Sequence, residues 1–388
     1  MTETTAKNLI YLDHAATSWP KPDEVGQDMV RALTDCTANA GRSGHQPSVA
    51  SARIVFQTRQ QLARLLGVAR SENLVFVRGC TEGLNLVIKG LLEPGDVVAV
   101  SPMEHNSVMR PLMGLVRRQG IIVETLPADP FGRIDLDAAR RLAGQREFAL
   151  LAVCHASNVN GAVQDVAGLR GVFPQTPLLV DAAQTAGVLP IDVERDGIDF
   201  LACSIHKGLL GPTGVGACYL SPRYDVRPLQ EGGTGSRSES HEQPDFRPDR
   251  YEAGTLNLHG IAGTYGALRG ASQRGLLGPQ KRQLTQRLLD GLSSVRNVRL
   301  QSPADGSALC ASFTISGLRP DEIALRLEEG YGVLCRPGLQ CAPAAHRHLG
   351  TFPGGTVRLS PGWRNTPEDV ETALRGVHEI ARSATVTE

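Results

Sequence analysis

Aromatic residues are scarce in this chain, at 4%; net charge is absent, with 40 Lys and Arg against 40 Asp and Glu; and no CxxC pair occurs anywhere. Each shortage excludes something. A charge-balanced chain without long single-sign runs lacks the electrostatic footprint of a nucleic-acid or anionic-membrane surface, so neither partner is expected. Eight scattered cysteines (Cys36, Cys80, Cys154, Cys203, Cys218, Cys310, Cys335, Cys341), several inside apolar runs, argue against a zinc module or a disulfide framework. Reduced cytoplasmic thiols packed as small apolar side chains fit them better. No stretch approaches the ~18 unbroken apolar residues of a spanning helix, and the first seven residues contain no apolar leader core, so a cytoplasmic location is expected. What remains is ordinary globular composition, 41% hydrophobic and 21% charged over 388 residues. That is enough for one large α/β unit or two intimate domains.

Apolar β-type runs alternate with helix-period stretches from residue 53 to about 220. The patterning predicts strands at 74–77, 96–100, 121–125, 148–154 and 177–181, with helices at 82–92, 107–119 and 135–143 between them. Alternation of this kind reads as βαβ units on a mainly parallel sheet, and near-continuous apolar strands mean that both faces are covered. Ligands in such sheets gather at the carboxyl ends of strands, so the residues just after each run carry most of the information. Segment 229–260 is polar, rich in Gly and Ser, and reads as a long loop, either functional or disordered. Beyond residue 262 the pattern changes to helices at 279–293, 320–329 and 367–382 and strands at 308–316, 331–335 and 356–360, a smaller α+β unit. The expected division is 15–260 for a large domain, with 1–14 joining 261–388 in the small one.

Four clusters sit at strand ends. In Ser204-Ile-His206-Lys207-Gly208 a lysine ends an apolar strand beside a hydroxyl, an imidazole and glycines. Partial desolvation of such an amine exposes its lone pair and suits Schiff-base chemistry; a surface lysine on a glycine-rich turn fits the same letters. Asp181 closes an apolar strand, where a carboxylate needs a facing cation such as a pyridinium nitrogen, or else serves as a helix N-cap. Gly79-Cys-Thr81-Glu-Gly83 lies between a strand and a helix, a pocket for a phosphate or simply a cap. Glu104-His105-Asn106 and Ser157-Asn158 follow two further strands: the imidazole could stack on a flat ring and the amide could bond a ring oxygen, and a satisfied core histidine is the plain alternative.

Taken in order, Asp13-His-Ala-Ala-Thr17, Thr81-Glu82-Gly83, Glu104-His105-Asn106, Ser157-Asn158, Asp181-Ala-Ala-Gln184, Ser204-Ile-His206-Lys207, Glu252-Ala-Gly-Thr255 and Arg336-Pro-Gly-Leu-Gln-Cys341-Ala-Pro resemble the cysteine desulfurase family of class V, fold-type I pyridoxal-phosphate enzymes, in its SufS-like branch. The resemblance runs from about residue 10 to 380. It implies an α/β fold with a mainly parallel, seven-stranded-type sheet and a smaller C-terminal α+β domain, and pyridoxal 5'-phosphate as cofactor. It also implies Lys207 as the Schiff-base lysine and mover of the α-proton, Asp181 on the pyridine nitrogen and His105 on the ring face. Gln184 and Asn158 would lie near the phenolic oxygen or the substrate, and Thr81, Ser204 and His206 on the phosphate. Thr255 would reach the phosphate of a neighbouring subunit, which makes a homodimer the expected unit. Arg358 would grip the substrate carboxylate as a bidentate fork, with Arg336 nearby. The reaction implied takes sulfur from L-cysteine, giving L-alanine and a persulfide on Cys341, which a sulfur-acceptor protein would discharge. A C–S or C–Se lyase acting on selenocysteine or an S-substituted cysteine is the alternative on the same fold, and an incidental surface thiol is the plain reading of Cys341.

One residue departs from the pattern. Many related sequences carry histidine immediately before this cysteine, where this chain has Gln340, and an amide cannot accept or relay the thiol proton. Downstream, His346 and His348 with Cys341 form too weak a metal pattern, so no metal is expected and both histidines read as solvated loop residues.

Overall fold

The computed structural model describes residues 9–35, 38–41 and 43–384, so Cys36 lies outside the described residues. In chain order the elements are β1 (Ile10–Tyr11), α1 (Asp23–Asp35), α2 (Gln46–Leu65), β2 (Leu74–Val77), α3 (Cys80–Leu91), β3 (Val97–Val100), α4 (Asn106–Gln119), β4 (Ile122–Thr125), α5 (Leu136–Ala143), β5 (Leu150–Cys154), α6 (Val166–Val172), β6 (Leu178–Asp181), β7 (Phe200–Ser204) and β8 (Gly216–Leu220). Then follow α7 (Leu258–Arg274), α8 (Gly278–Ser293), β9 (Val298–Leu300), β10 (Ala311–Ile315), α9 (Pro320–Tyr331), β11 (Val333–Leu334), β12 (Arg336–Gly338), α10 (Pro343–His348), β13 (Thr356–Leu359) and α11 (Pro367–Ser383).

Seven strands form the central sheet in the order β2-β8-β7-β6-β5-β3-β4. All run parallel except β8, which is antiparallel to both of its neighbours. Alternation along each strand sends residues to opposite faces. Ala99, Leu151, Val153, Val180 and Leu201 meet Leu62 of α2, Ala139 of α5 and Leu169 of α6, while Val98, Val100, Ala152, Leu179 and Phe200 meet Leu84 of α3 and Leu112 of α4. Both faces are therefore dry, and β5, β6 and β7 are buried along their whole length. This is why they read as unbroken apolar runs.

A four-stranded antiparallel sheet, β12-β13-β10-β9, builds the second core with α8, α9 and α11. The start of the chain belongs to it: Leu12 lies in that core, β1 pairs with β11, and Asp13 bridges to Ser360. Helix α7 packs into the larger core through Leu258, Ile261 and Leu268, although the sequence reading began the smaller unit at 261. Close helix approach explains the placement. A Cβ on Gly266 of α7 would lie 2.4 Å from the Glu24 carbonyl oxygen of α1, so α7 is fastened there by a glycine whose periodic signal is weak.

Candidate active site

The strand-end residues converge at the carboxyl edge of the large sheet, on the side facing the smaller unit. Asp181 ends β6 and is 6% exposed. No helix follows it, so it is not a helix cap; its Oδ1 accepts the Ala183 N–H at 2.9 Å and the Cys80 thiol at 3.2 Å. Neither donor carries a charge, and a buried carboxylate needs a cation to be favourable. Burial, reinforced by the Asp181 charge, holds the Cys80 thiol well above its usual range and hence protonated.

Lys207 follows β7 by three residues. Burial pushes its amine down, opposed by Asp181 and Cys80, assisted by Arg358, and opposed again by Cys341. Asp181, Arg358 and Cys341 are groups that the sequence reading assigned to one reaction centre, and each acts electrostatically on this nitrogen. A desolvated amine holds its proton less tightly and offers its lone pair.

The hydroxyls predicted for a phosphate gather at the N-terminus of α3. Thr81 Oγ1 and Ser107 Oγ are 2.7 Å apart, Ser204 Oγ accepts the Cys80 N–H at 3.1 Å, and His206 Nδ1 lies 3.0 Å from Thr17 Oγ1. Thr81, Ser204 and His206 line one open pocket of about 550 Å³ together with Gly79. Backbone proximity shapes it, because a Cβ on Gly216 would lie 2.6 Å from the Gly79 Cα. Burial, with help from Lys207 and Lys21, lowers the His206 imidazole to about 4, so it is neutral near pH 7. Thr255 is exposed, sits 3.4 Å from Asn39 Nδ2, and does not line this pocket within its own chain.

His105 caps α4, its Nδ1 accepting the Ser107 N–H at 3.0 Å. In the neutral ring that bond leaves the proton on Nε2. Burial lowers this imidazole, opposed by Asp181. Behind it Glu104 is fully buried, accepting from Ser101 Oγ at 2.5 Å and Cys154 N at 2.7 Å, and burial raises its carboxyl to about 8. Gln184 is half-buried and donates to the Ala15 carbonyl at 2.9 Å.

Arg358, on β13, is 2% exposed. Its Nη1 donates to the Asn158 carbonyl at 2.6 Å and its Nη2 to Asp13 Oδ1 at 2.5 Å, while Nε is buried without a partner among the described residues. An unmet guanidinium donor in a dry site is a ready point for a carboxylate. Arg336 is exposed and lies directly across from Arg358 in the antiparallel ladder. Asn158 in turn gives its amide N–H to the Gln340 carbonyl at 2.6 Å, linking the arginine to the cysteine loop.

Cys341 is the exposed cysteine among the described residues; the other thiols are buried or half-buried. It adopts φ 60°, after Gln340 at φ 42°, and its carbonyl accepts the Asn106 N–H at 2.9 Å. The solvated-histidine reading fails for His346, which is fully buried in α10 and bonded to Gln340 and Thr351. His348 is exposed, with Nε2 2.7 Å from the Asp129 carbonyl. Among the described residues no three metal-ligating side chains converge, and no helix is long and apolar enough to cross a membrane.

Sequence reasoning assigned no role to Asp13, Cys80, Ser107, Gln340 or His346 in holding the site. Asp13 and Arg358 are 345 positions apart, so nothing periodic joins them. The available signal was the need of a buried arginine for a carboxylate, and Asp13 stood in a motif already singled out.

A desolvated lysine, a buried carboxylate hydrogen-bonded to neutral donors, and a hydroxyl-lined pocket at a helix N-terminus fit the aldehyde, the ring nitrogen and the phosphate of pyridoxal phosphate in turn. Fold and site together define the class, an α/β enzyme of the pyridoxal-phosphate transferase type. The chain belongs to the aminotransferase class-V family, whose model matches residues 10–373. It is similar to the cysteine desulfurase of Thermococcus onnurineus NA1, whose apo structure superposes with a TM-score of 0.90 at 31% identity over 96% of this chain and 95% of that one. The cysteine desulfurase CsdA of Escherichia coli gives a TM-score of 0.85 at 28% identity, covering 97% and 96%. A probable cysteine desulfurase of Methanothermobacter thermautotrophicus is 32% identical over 97% of this chain and 95% of its own length.

Proposed function

We propose that this enzyme is a pyridoxal-phosphate-dependent cysteine desulfurase, converting L-cysteine to L-alanine with transfer of the sulfur to Cys341. The single observation that supports the reading is the chain of hydrogen bonds that ties Arg358 through Asn158 to Gln340, next to the exposed Cys341, with Asp181, Arg358 and Cys341 all acting electrostatically on Lys207. When bound, the cofactor supplies an aldehyde that condenses with amines and a ring that accepts electrons from the substrate's Cα. Lys207 anchors it and moves the substrate's α-proton, a role suited to an amine whose proton affinity burial has lowered. Asp181 would meet the ring nitrogen, His105 would pack on the ring, and Gln184 and Asn158 would face its phenolic oxygen or the substrate. Thr81, Ser204 and His206 bind the phosphate, and Arg358, with Arg336 at the mouth, orients the substrate carboxylate.

Cys341 as thiolate then attacks the substrate sulfur. A sulfur–sulfur bond forms, the carbon–sulfur bond breaks, its electron pair stays with the carbon fragment, and protonation of that fragment yields alanine. The exposure of Cys341 favours onward delivery of the sulfur to an acceptor protein, and the exposed Thr255 favours a homodimer in which it serves the second copy's phosphate site. Unpaired thiols throughout the described residues suit a reducing, cytoplasmic setting.

Product analysis tests the reading. With cysteine plus a reductant, wild-type protein forms alanine and sulfide, and Cys341→Ala retains less than a hundredth of that rate. Pyruvate as the main product, or full alanine formation without Cys341, makes the enzyme a lyase instead.

A further inference from the structure

Gln340 and Cys341 are consecutive non-glycine residues with left-handed backbone, a conformation that L-residues keep only where their surroundings enforce it. Here the surroundings form a closed network. Gln340 is 6% exposed, and its amide nitrogen donates to the carbonyls of Thr356 at 3.0 Å and Arg336 at 3.2 Å. The amide oxygen is therefore the acceptor in its contact with His346 Nε2 at 2.8 Å, which places the imidazole proton on Nε2. His346 Nδ1 is left to accept the Thr351 hydroxyl, 2.8 Å away. On the main chain, Asn158 holds the Gln340 carbonyl and Asn106 holds that of Cys341. The side chain at 340 is thus turned into the protein with all its polar atoms engaged, while the thiol beside it stays exposed.

We infer that Gln340 and His346 are positioning residues for the sulfur acceptor: the bond from the imidazole to the amide locks the two left-handed residues and so fixes where the Cys341 thiol stands relative to Lys207 and Arg358. Position 340 then needs an acceptor facing inward, and an amide supplies it without serving as a base for the thiol. Burial keeps His346 neutral, lowering it to about 4, so the donor arrangement holds across the neutral range. The inference rests on the desulfurase reading above.

The test compares Gln340→Leu, His346→Leu, His346→Gln and Thr351→Val as cofactor-loaded protein. Alanine formation gives kcat and KM, and iodoacetamide alkylation of Cys341, followed by peptide mass spectrometry, reports on the thiol without turnover. The leucine variants lower kcat at least tenfold, leave KM within twofold because Arg358 is intact, and change the alkylation rate at least threefold. His346→Gln keeps a donor toward Gln340 and recovers most of both. Values within twofold of wild type in the leucine variants overturn the inference, and so does a His346→Gln protein as impaired as His346→Leu, since packing alone then explains the loss. Should the leucine variants fail to fold, Thr351→Val, which removes the hydroxyl's contacts with the His346 ring and carbonyl, carries the comparison: a fall in kcat of at least threefold supports the inference and an unchanged kcat overturns it. Cys341→Ala, run alongside, separates the two claims, because full alanine formation there sinks the desulfurase reading itself.

Discussion

Replacing Arg358 by lysine keeps the positive charge and removes the fork. The guanidinium spends Nη1 on the Asn158 carbonyl and Nη2 on Asp13, leaving Nε as a buried donor without a partner among the described residues. A lysine ammonium concentrates its donors at one point and cannot span Asn158 and Asp13 while also facing a third group. The substrate carboxylate therefore loses about one charge-assisted hydrogen bond, worth roughly 1.5–3 kcal/mol. At about 1.4 kcal/mol per tenfold, KM for cysteine rises roughly 10- to 150-fold. Steady-state alanine formation measures this, with cofactor absorbance as the control that the ring site is intact. A KM within threefold of wild type at normal cofactor loading would refute the assignment of Arg358 to the carboxylate.

Other outcomes follow from the same geometry. Under native conditions a thiol reagent labels Cys341 first, whereas Cys80, Cys154, Cys203, Cys218 and Cys310, buried with their thiols held protonated, react only after denaturation; peptide mapping checks the order, and early labelling of Cys80 contradicts the packing around Asp181. Asp181→Asn keeps the side chain's shape and its contact with Cys80 but removes the charge, and lowers kcat at least about 30-fold, equivalent to roughly 2 kcal/mol; unimpaired turnover would remove Asp181 from the ring nitrogen. Because burial lowers His155, His206 and His346 to about 4 in the folded state, against roughly 6.5 when unfolded, their contribution to stability is complete above pH 6.5 and is lost as pH falls toward 4. Urea unfolding at pH 7 and pH 5 tests this, and an unchanged midpoint speaks against three buried neutral imidazoles.

The βα alternation was legible because a sheet covered on both faces writes near-continuous apolar strands into the sequence. Strand β5 was read at 148–154 and runs Leu150–Cys154; β6 was read at 177–181 and runs Leu178–Asp181. The strand-end rule then singled out Asp181, Ser204 and Lys207, whose chemistry is unusual for apolar neighbours. Helices α1 and α2 went unread, as did the membership of α7 in the larger core, since their packing depends on glycines such as Gly266 and on distant partners. Pairings such as Cys80 with Asp181, Asp13 with Arg358 and Gln340 with His346 have no period either. They were out of reach for a different reason: each is a bond made only when separate elements meet, and burial rather than residue type gives it meaning. His346 illustrates this, a polar residue beside an exposed cysteine that the fold turns fully inward.

The central claim is that one amine, Lys207, carries the cofactor. Incubation with pyridoxal phosphate, borohydride reduction and tryptic mass mapping tests it most directly. The account predicts a single phosphopyridoxyl adduct on the peptide containing Lys207, lost in Lys207→Ala; an adduct on Lys21 or Lys281 instead, or none at all, would contradict it.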